Sequence, residues 1–169
     1  TLNSINMNLE NTQNAISTGK DVATAKDNSA IWAISKVMES DVAGFNAVSD
    51  SLALGESTVA VATAGAEQIT DLLKEMKEKV VTATGENVEN GKLNAEVTEL
   101  KNQITSIIKS SQFNGANLLN TAGGDLTVLS SLDRDSTGTV TASNITVKSV
   151  NFTDSLVLTD VKVGTSAEA

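Results

Sequence analysis

Paired carboxylates are the side chains in this sequence that could perform acid–base chemistry. Glu75 and Glu78 lie three residues apart, as do Glu96 and Glu99. Such pairs can act as general acid and base when burial separates their pKa values. The sequence has no histidine and no cysteine, which removes the commonest general base and the thiolate nucleophile. Both pairs fall on the polar side of a helical pattern, where solvation is the simpler interpretation. We therefore predict no catalytic site and no enzyme activity.

Two further patterns could bind a ligand or accept a modification. Residues 133–136 resemble the start of a calcium loop, but the glycine and glutamate that such a loop needs do not follow, so we predict a turn. Asn144 and Asn151 each begin an Asn-x-Thr triplet, the spacing of an N-glycosylation acceptor and one that is frequent by chance. The sequence has no phosphate-binding loop and no nucleotide fingerprint. We predict no metal ion and no other cofactor.

Composition limits the class of partner. A net charge of −9 argues against nucleic acid, because no basic stripe is present to displace phosphate counterions. No run approaches the roughly eighteen apolar residues of a membrane span, and no signal peptide is visible at Thr1. The chain begins in mid-pattern without Met, so we expect that the true N-terminus is missing.

One apolar seam with a seven-residue period organises the chain from residue 25 to about residue 83. This period, with companion positions three residues on, is typical of a helix that faces other helices. Such a helix would be roughly 90 Å long, which favours a rod over a globule. Asp41 and Gly55 are the companion positions that are not apolar. The seam positions are Ile31, Met38, Phe45, Leu52, Val59, Ala66, Leu73 and Val80, with the companions Ile34, Val48, Ala62, Ile69 and Met76.

Two shorter helices flank this one. The first covers residues 2–16, needs a partner surface, and ends at Gly19 as a left-handed C-cap. Thr24 and Asp27 have capping-box spacing at the start of the long helix. The third helix follows a break of eight to ten residues, so it should fold back antiparallel and end near Gly115. Their apolar positions are Leu2, Ile5, Leu9 and Ile16 in the first helix, and Leu93, Val97, Leu100, Ile104 and Ile107, followed by Ser111, in the third.

Three glycines interrupt the long helix. Gly44, Gly55 and Gly65 each cost about 1 kcal/mol relative to alanine in a helix interior. They are either noise in the pattern or places where two helices approach closely. We favour close approach because Gly55 lies on the seam.

The last part of the chain is rich in β-branched residues. Residues 125–132, 144–150 and 156–163 predict two or three strands. The predicted fold is therefore mainly α with a small β part: a long antiparallel helical rod of coiled-coil type, followed by a β-hairpin or small sheet. We divide the chain into residues 1–24 as helix and connector, 25–120 as the helical rod, and 121–169 as the β-rich region.

Two motifs at a matching separation identify a family resemblance. Residues 16–20 (Ile-Ser-Thr-Gly-Lys) and 24–34, with residues 112–119 (Gln-Phe-Asn-Gly-Ala-Asn-Leu-Leu), resemble the N-terminal region of bacterial flagellins. The variant Asp-Asn-Ser-Ala-Ile-Trp-Ala at residues 27–33 is most similar to flagellins of alphaproteobacteria. The resemblance implies a structural subunit of the flagellar filament that serves motility, is exported without cleavage of a signal peptide, and is extracellular.

The same resemblance implies the partners and the roles of segments. The seam residues and those of the two shorter helices would form the self-association and core surface. The first helix would belong to the inner tube, the two longer helices to the rod, and the strands to the start of the outer region. Other flagellin subunits would be the main partners, with an export chaperone and hook-associated proteins. A returning C-terminal segment completes such subunits, and we expect that it is missing here.

Alternatives remain open from the sequence. A hook–filament junction protein shares the rod design, and a flagellin-like adhesin or glycan binder could be built on the same scaffold. A hydrolase carried as an outer insertion is disfavoured by the missing histidines.

The resemblance also singles out Glu75 and Lys79, which stand where flagellins detected by the flagellin-sensing Toll-like receptor carry arginine and leucine. We expect this chain to trigger that receptor weakly.

Overall fold

A helical N-terminal part is followed by a two-stranded sheet and a short helix. The computed structural model describes residues 1–85, 89–120 and 124–156. The chain divides into two units, Thr1–Val48 and Ser49–Ala169, and each is described by itself. The elements are α1 (Leu2–Thr18), α2 (Ser29–Thr82), α3 (Asn90–Ser110), β1 (Leu126–Arg134), β2 (Val140–Val147) and α4 (Phe152–Ser155). The prediction of a mainly helical chain with a small antiparallel sheet is confirmed.

In the first unit, the C-terminal end of α1 and the start of α2 are set by capping residues. Gly19 follows α1 with φ 67° in the left-handed region, which confirms the predicted C-cap. Asp27 Oδ2 accepts hydrogen bonds from Thr24 N (2.9 Å) and Thr24 Oγ1 (3.1 Å). This pair closes a turn before the helix, and α2 begins only at Ser29. Asn28 Oδ1 accepts from Ile31 N at 3.2 Å, so the capping role predicted for Thr24 was wrong and belongs to Asn28.

In the second unit, α2 and α3 pack antiparallel, as predicted. Gly65 of α2 lies against Ser111 at the end of α3, whereas Lys79, farther along α2, pairs with Glu96 near the start of α3. Residues later in α2 therefore contact residues earlier in α3, so the two helices run in opposite directions. The core of this unit contains Ala62, Ile69, Met76, Val97, Leu100, Ile104, Ile108, Leu118 and Leu119.

Two glycines of α2 lie in close contacts, but their neighbours are not those expected. A Cβ at Gly65 would lie 2.2 Å from Ser111 Oγ and 2.9 Å from Leu119 Cδ1. A Cβ at Gly55 would lie 2.7 Å from Val128 Cγ2 in strand β1. Close approach is thus correct at both positions. The approaching groups are the C-cap of α3, the segment after it and a strand, which corrects the prediction of a helix–helix approach.

The segment after α3 is a tight turn followed by a buried anchor. Asn114 and Gly115 have φ of 49° and 83°, and Phe113 and Ala116 exchange two backbone hydrogen bonds of 2.9 Å. The third helix thus ends near Gly115, as predicted, and this glycine adopts the left-handed conformation that the absence of a Cβ permits. Two positive φ values between a mutually bonded pair are typical of an Asn-Gly type I′ turn. Asn117 then donates from Nδ2 to the Ile108 carbonyl at 2.7 Å.

The sheet is a hairpin of β1 and β2, with a bulge between Leu129 and Ser131. Asp135 Oδ1 accepts hydrogen bonds from Thr137 N at 2.8 Å and Thr139 N at 2.9 Å, and so forms the connecting turn. The turn predicted at residues 133–136 therefore starts two residues later, because Asp133 and Arg134 still belong to β1. The second strand runs earlier than the predicted residues 144–150. Of the possible third strand, 156–163, all but residue 156 lies outside the described residues.

Candidate self-association surface

Helix α1 presents its apolar side chains to solvent. We call Leu2, Ile5, Leu9 and Ile16 the α1 apolar face. All four are exposed, and the helix has no buried residue. An amphipathic helix of this length is marginal in water without a surface to pack on. The predicted need for a partner thus corresponds to an uncovered face within the first unit.

The N-terminal part of α2 carries a second exposed surface. We call Ile31, Ile34, Met38, Val42 and Phe45 the α2 apolar stripe. At about 100° per residue these five positions occupy roughly a quarter of the helix circumference. All are exposed, Phe45 to 64%, although large apolar side chains are normally among the most buried. The stripe is therefore a contiguous apolar surface.

In the second unit most of the same seam is covered. Ile69 and Ile104 have no exposed surface, and they pack in the core cluster with the other seam residues of both helices. Of the other predicted seam positions, Ala62, Met76, Val97 and Leu100 are also buried, while Ala66, Leu73, Val80, Leu93 and Ile107 are partly buried against them. Leu52 and Val59, in the same unit, are exposed, and Val48, at the end of the first unit, is buried.

Several buried residues were missed by the sequence analysis. Ile108 is more deeply buried than Ile107, and its spacing of four from Ile104 was the signal that could have identified it. Leu118 and Leu119 belong to the core cluster. Thr58 is buried and donates from Oγ1 to the Leu54 carbonyl at 2.8 Å, a local bond that a hydrophobic pattern does not reveal.

The charged residues near the seam form ion pairs at the surface. Lys79 Nζ lies 2.7 Å from Glu96 Oε2, and this contact raises the pKa of Lys79. Glu39 accepts from Lys36 Nζ at 2.6 Å and from Lys20 Nζ at 3.4 Å. The hydrogen bond from Lys36, followed by that from Lys20, lowers the pKa of the Glu39 carboxyl.

The paired carboxylates that could have acted as general acid and base do not form a buried site. All four carboxylates of the pairs Glu75/Glu78 and Glu96/Glu99 are exposed, and Glu96 is engaged with Lys79. In residues 1–85, 89–120 and 124–156, no group of three or more Asp or Glu side chains is arranged to hold a metal ion. Across those same ranges, none of the helices combines the length and the apolar character needed to cross a bilayer.

The two Asn-x-Thr triplets have different surroundings. Asn144 is exposed on β2, where it pairs with Leu129. Asn151 caps α4: its Oδ1 accepts from Asp154 N at 3.1 Å, and its Nδ2 donates to the carboxylate of the same residue. The second amide is thereby used in a helix cap.

Comparison with known proteins decides the family. The family described as the bacterial flagellin N-terminal helical region matches residues 1–123 of the chain. The chain belongs to the bacterial flagellin family. This confirms the resemblance found at residues 16–34 and 112–119, and members of the flagellin family are structural proteins.

Individual flagellins show how far the similarity extends. Flagellin A of Rhizobium meliloti strain 1021 is 40% identical over 149 residues, which cover 86% of this chain and 38% of that protein. Flagellin C of the same strain is 40% identical over 157 residues, covering 89% and 49% respectively. Flagellin FljN of Caulobacter vibrioides is 41% identical over 149 residues, covering 86% and 54%. These relatives come from alphaproteobacteria, as the sequence motif indicated, and the flagellin chain described here spans about half of their length or less.

Proposed function

We propose that this chain is a structural subunit of a bacterial flagellar filament and that it associates with other copies through its uncovered apolar surfaces. The observation that carries the proposal is the α2 apolar stripe, whose five large apolar side chains are all exposed in a chain of the flagellin family. Burying five such side chains would contribute on the order of 10 kcal/mol before entropy is counted. In a filament built from one kind of subunit, a second copy of the chain would cover the stripe.

The second unit supports this proposal because another part of the same seam of α2 is covered there by a helix. Ile69, Met76 and their neighbours continue the seam of the stripe, and there α3 packs on it. The remaining length of the seam has the same residue types but no covering helix within its own unit. The apolar pattern that forms a core in the second unit therefore leaves, in the α2 apolar stripe, a surface that a partner can cover.

Sedimentation of stripe variants tests the proposal. Phe45→Asp places a carboxylate on the stripe, and burying an unpaired charge is strongly unfavourable, so we expect its association constant to fall at least about tenfold. Ser40→Ala changes an exposed residue on the opposite side of α2 and should leave association unchanged. A wild-type chain that sediments as a monomer at every concentration would contradict the proposal, as would undiminished association of Phe45→Asp.

The location and the wider partners follow from the same proposal. We infer an extracellular subunit that is exported without cleavage of a signal peptide, and that meets an export chaperone and hook-associated proteins on its way. In this proposal residues 1–24 form the inner-tube helix and connector, 25–120 the rod, and 121–169 the start of the outer region. Immunogold labelling along the whole filament would agree with the proposal, whereas labelling confined to the hook–filament junction would assign the chain to the junction instead.

We also propose that Glu75 and Lys79 weaken detection by the flagellin-sensing Toll-like receptor. Glu75 is exposed, and Lys79 is held by Glu96 at 2.7 Å, so an anion and an engaged cation stand where arginine and leucine would make contacts. A reversed charge at residue 75 and a cation in place of an apolar contact at residue 79 are both unfavourable at an interface core. In a reporter-cell assay we expect the chain to signal weakly and the double variant Glu75→Arg/Lys79→Leu to signal more strongly. A wild-type response equal to that of an enterobacterial flagellin would refute this.

A further inference from the structure

The three methionines of this chain occupy three different environments. Met7 and Met38 are 63% and 62% exposed, whereas Met76 is 4% exposed. Met76 belongs to the core cluster of the second unit. The thioether sulfur of methionine is the side-chain atom here that mild two-electron oxidants attack most readily, since the chain has no cysteine. Exposure therefore separates two reactive methionines from one that is protected.

The two exposed methionines differ in the surface that they occupy. Met38 lies within the α2 apolar stripe, one turn from Ile34 on one side and from Val42 on the other. Met7 lies on the side of α1 opposite to the α1 apolar face, as the rotation of about 100° per residue requires. Oxidation at Met38 would thus change an apolar surface, and oxidation at Met7 would not.

We propose that Met38 is a redox-sensitive modification site, at which oxidation to the sulfoxide by a peroxide weakens association of the α2 apolar stripe with a second copy of the chain. The inference rests on the proposed function and adds a means of regulating it. The sulfur attacks hydrogen peroxide and loses two electrons, the O–O bond breaks, one oxygen becomes bonded to sulfur, and the other leaves as water.

The consequence follows from the polarity of the product. The thioether is apolar, whereas the sulfoxide carries a strong hydrogen-bond acceptor. The nearest stripe residues, Ile34 and Val42, are aliphatic and cannot donate a hydrogen bond. Burying an acceptor without a donor is unfavourable, so the oxidised stripe is a poorer surface for another copy.

Peptide mapping by mass spectrometry tests the selectivity. The folded chain is diluted until it is monomeric, so that the α2 apolar stripe is uncovered, and is then treated with hydrogen peroxide; sulfoxide is quantified at each methionine over time. We expect oxidation of Met7 and Met38 at similar rates, and oxidation of Met76 at least about tenfold more slowly, because Met76 reacts only when its core opens. Equal rates at all three positions would overturn the proposed site.

Sedimentation of the same samples tests the consequence. We expect oxidation to lower the association constant about tenfold and a methionine sulfoxide reductase with thiol reductant to restore it. Met38→Leu conserves volume and apolar character, so this variant should associate normally and resist the peroxide. Met7→Leu, the matched control, should remain as sensitive as the wild type.

The possible outcomes separate the two proposals. If the untreated chain associates and its oxidised form associates equally well, the role of Met38 is overturned while the proposed function stands. Sensitivity that persists in Met38→Leu also overturns that role. An untreated chain that never associates overturns both proposals.

Discussion

At the scale of single residues, Gly65 shows how a position that is weak for a helix can be required by packing. A Cβ there would lie 2.2 Å from Ser111 Oγ and 3.0 Å from Ser111 Cβ, and also meets Leu119. Ser111 and Leu119 are buried, and Ser111 Oγ donates to the Ile107 carbonyl at 2.7 Å. The neighbours therefore have little freedom to move away.

We predict that Gly65→Ala destabilises the chain by about 1–3 kcal/mol through overpacking, although alanine is the better helix former by about 1 kcal/mol. Gly91→Ala is the matched control, because a Cβ at Gly91 in α3 would meet nothing within 4 Å. That variant should be neutral or stabilised by up to about 1 kcal/mol. Urea denaturation followed by circular dichroism measures both, and an unchanged or raised midpoint for Gly65→Ala would show that the contact is not tight.

Local backbone conformation could be predicted from the sequence at positions where a single residue type determines it. Gly19 and Gly115 adopt positive φ because the chain reverses there and glycine has no Cβ penalty. The start of α2 could not be predicted in this way, since Thr24 and Asn28 are both good caps and their competition depends on the turn between them. The neighbours of Gly55 and Gly65 come from residues more than forty positions away in the chain, which a local pattern cannot identify.

At the scale of elements, Asn117 fastens the segment after α3 to that helix. Its Nδ2 donates to the Ile108 carbonyl at 2.7 Å, its Oδ1 accepts from Leu119 N at 2.8 Å, and the side chain is buried. The next two carbonyls, of Leu118 and Leu119, accept from Val150 N at 2.7 Å and Phe152 N at 3.1 Å. One amide side chain thus orders the segment on which the start of α4 rests.

We predict that Asn117→Asp destabilises the chain by about 1–3 kcal/mol at neutral pH. The carboxylate still accepts from Leu119 N, but it cannot donate to the Ile108 carbonyl and places a charge beside that oxygen. Protonation restores a donor, so the loss should shrink as the pH falls. Asn102→Asp, on an exposed position of α3, should change stability by less than about 0.5 kcal/mol. Equal effects of the two variants in urea titrations at several pH values would refute this role.

The helices could be predicted from the sequence wherever their apolar residues recur with a helical period. The apolar spacing predicted the helices because a buried face recurs every three or four residues, and the short break between α2 and α3 predicted their antiparallel pairing. The spacing did not distinguish Ile34, which is exposed, from Ile69, which is fully buried, since both occupy companion positions of one seam. Periodicity identifies the face that needs a partner, whereas the partner is determined by how the rest of the chain folds.

At the scale of the whole molecule, the titratable groups define a pH range of stability. In the part of the chain that the structure describes, hydrogen bonds lower the pKa of four carboxyls: Asp27 chiefly through Thr24 N, Glu39 through Lys36, Asp125 through Lys148, and Asp135 through the Thr137 hydroxyl. A carboxyl whose folded pKa is depressed contributes stability above its unfolded pKa and loses it as the pH falls through the folded value. Lys79, whose pKa is raised mainly by Glu96, contributes fully below its unfolded pKa and loses that contribution as the pH rises through the folded value.

We therefore predict that the free energy of unfolding decreases below about pH 4 and again above about pH 10, with a broad plateau between, because the chain has no histidine or cysteine to titrate near neutrality. Asp135→Asn should lower stability on the plateau, and its difference from the wild type should shrink as the pH falls below about 4, since the wild-type carboxyl is then protonated as well. Asp50→Asn, on an exposed position of α2, serves as the control. Urea titrations across this range measure the effect, and a difference between Asp135→Asn and the wild type that stays constant down to the lowest pH would contradict it.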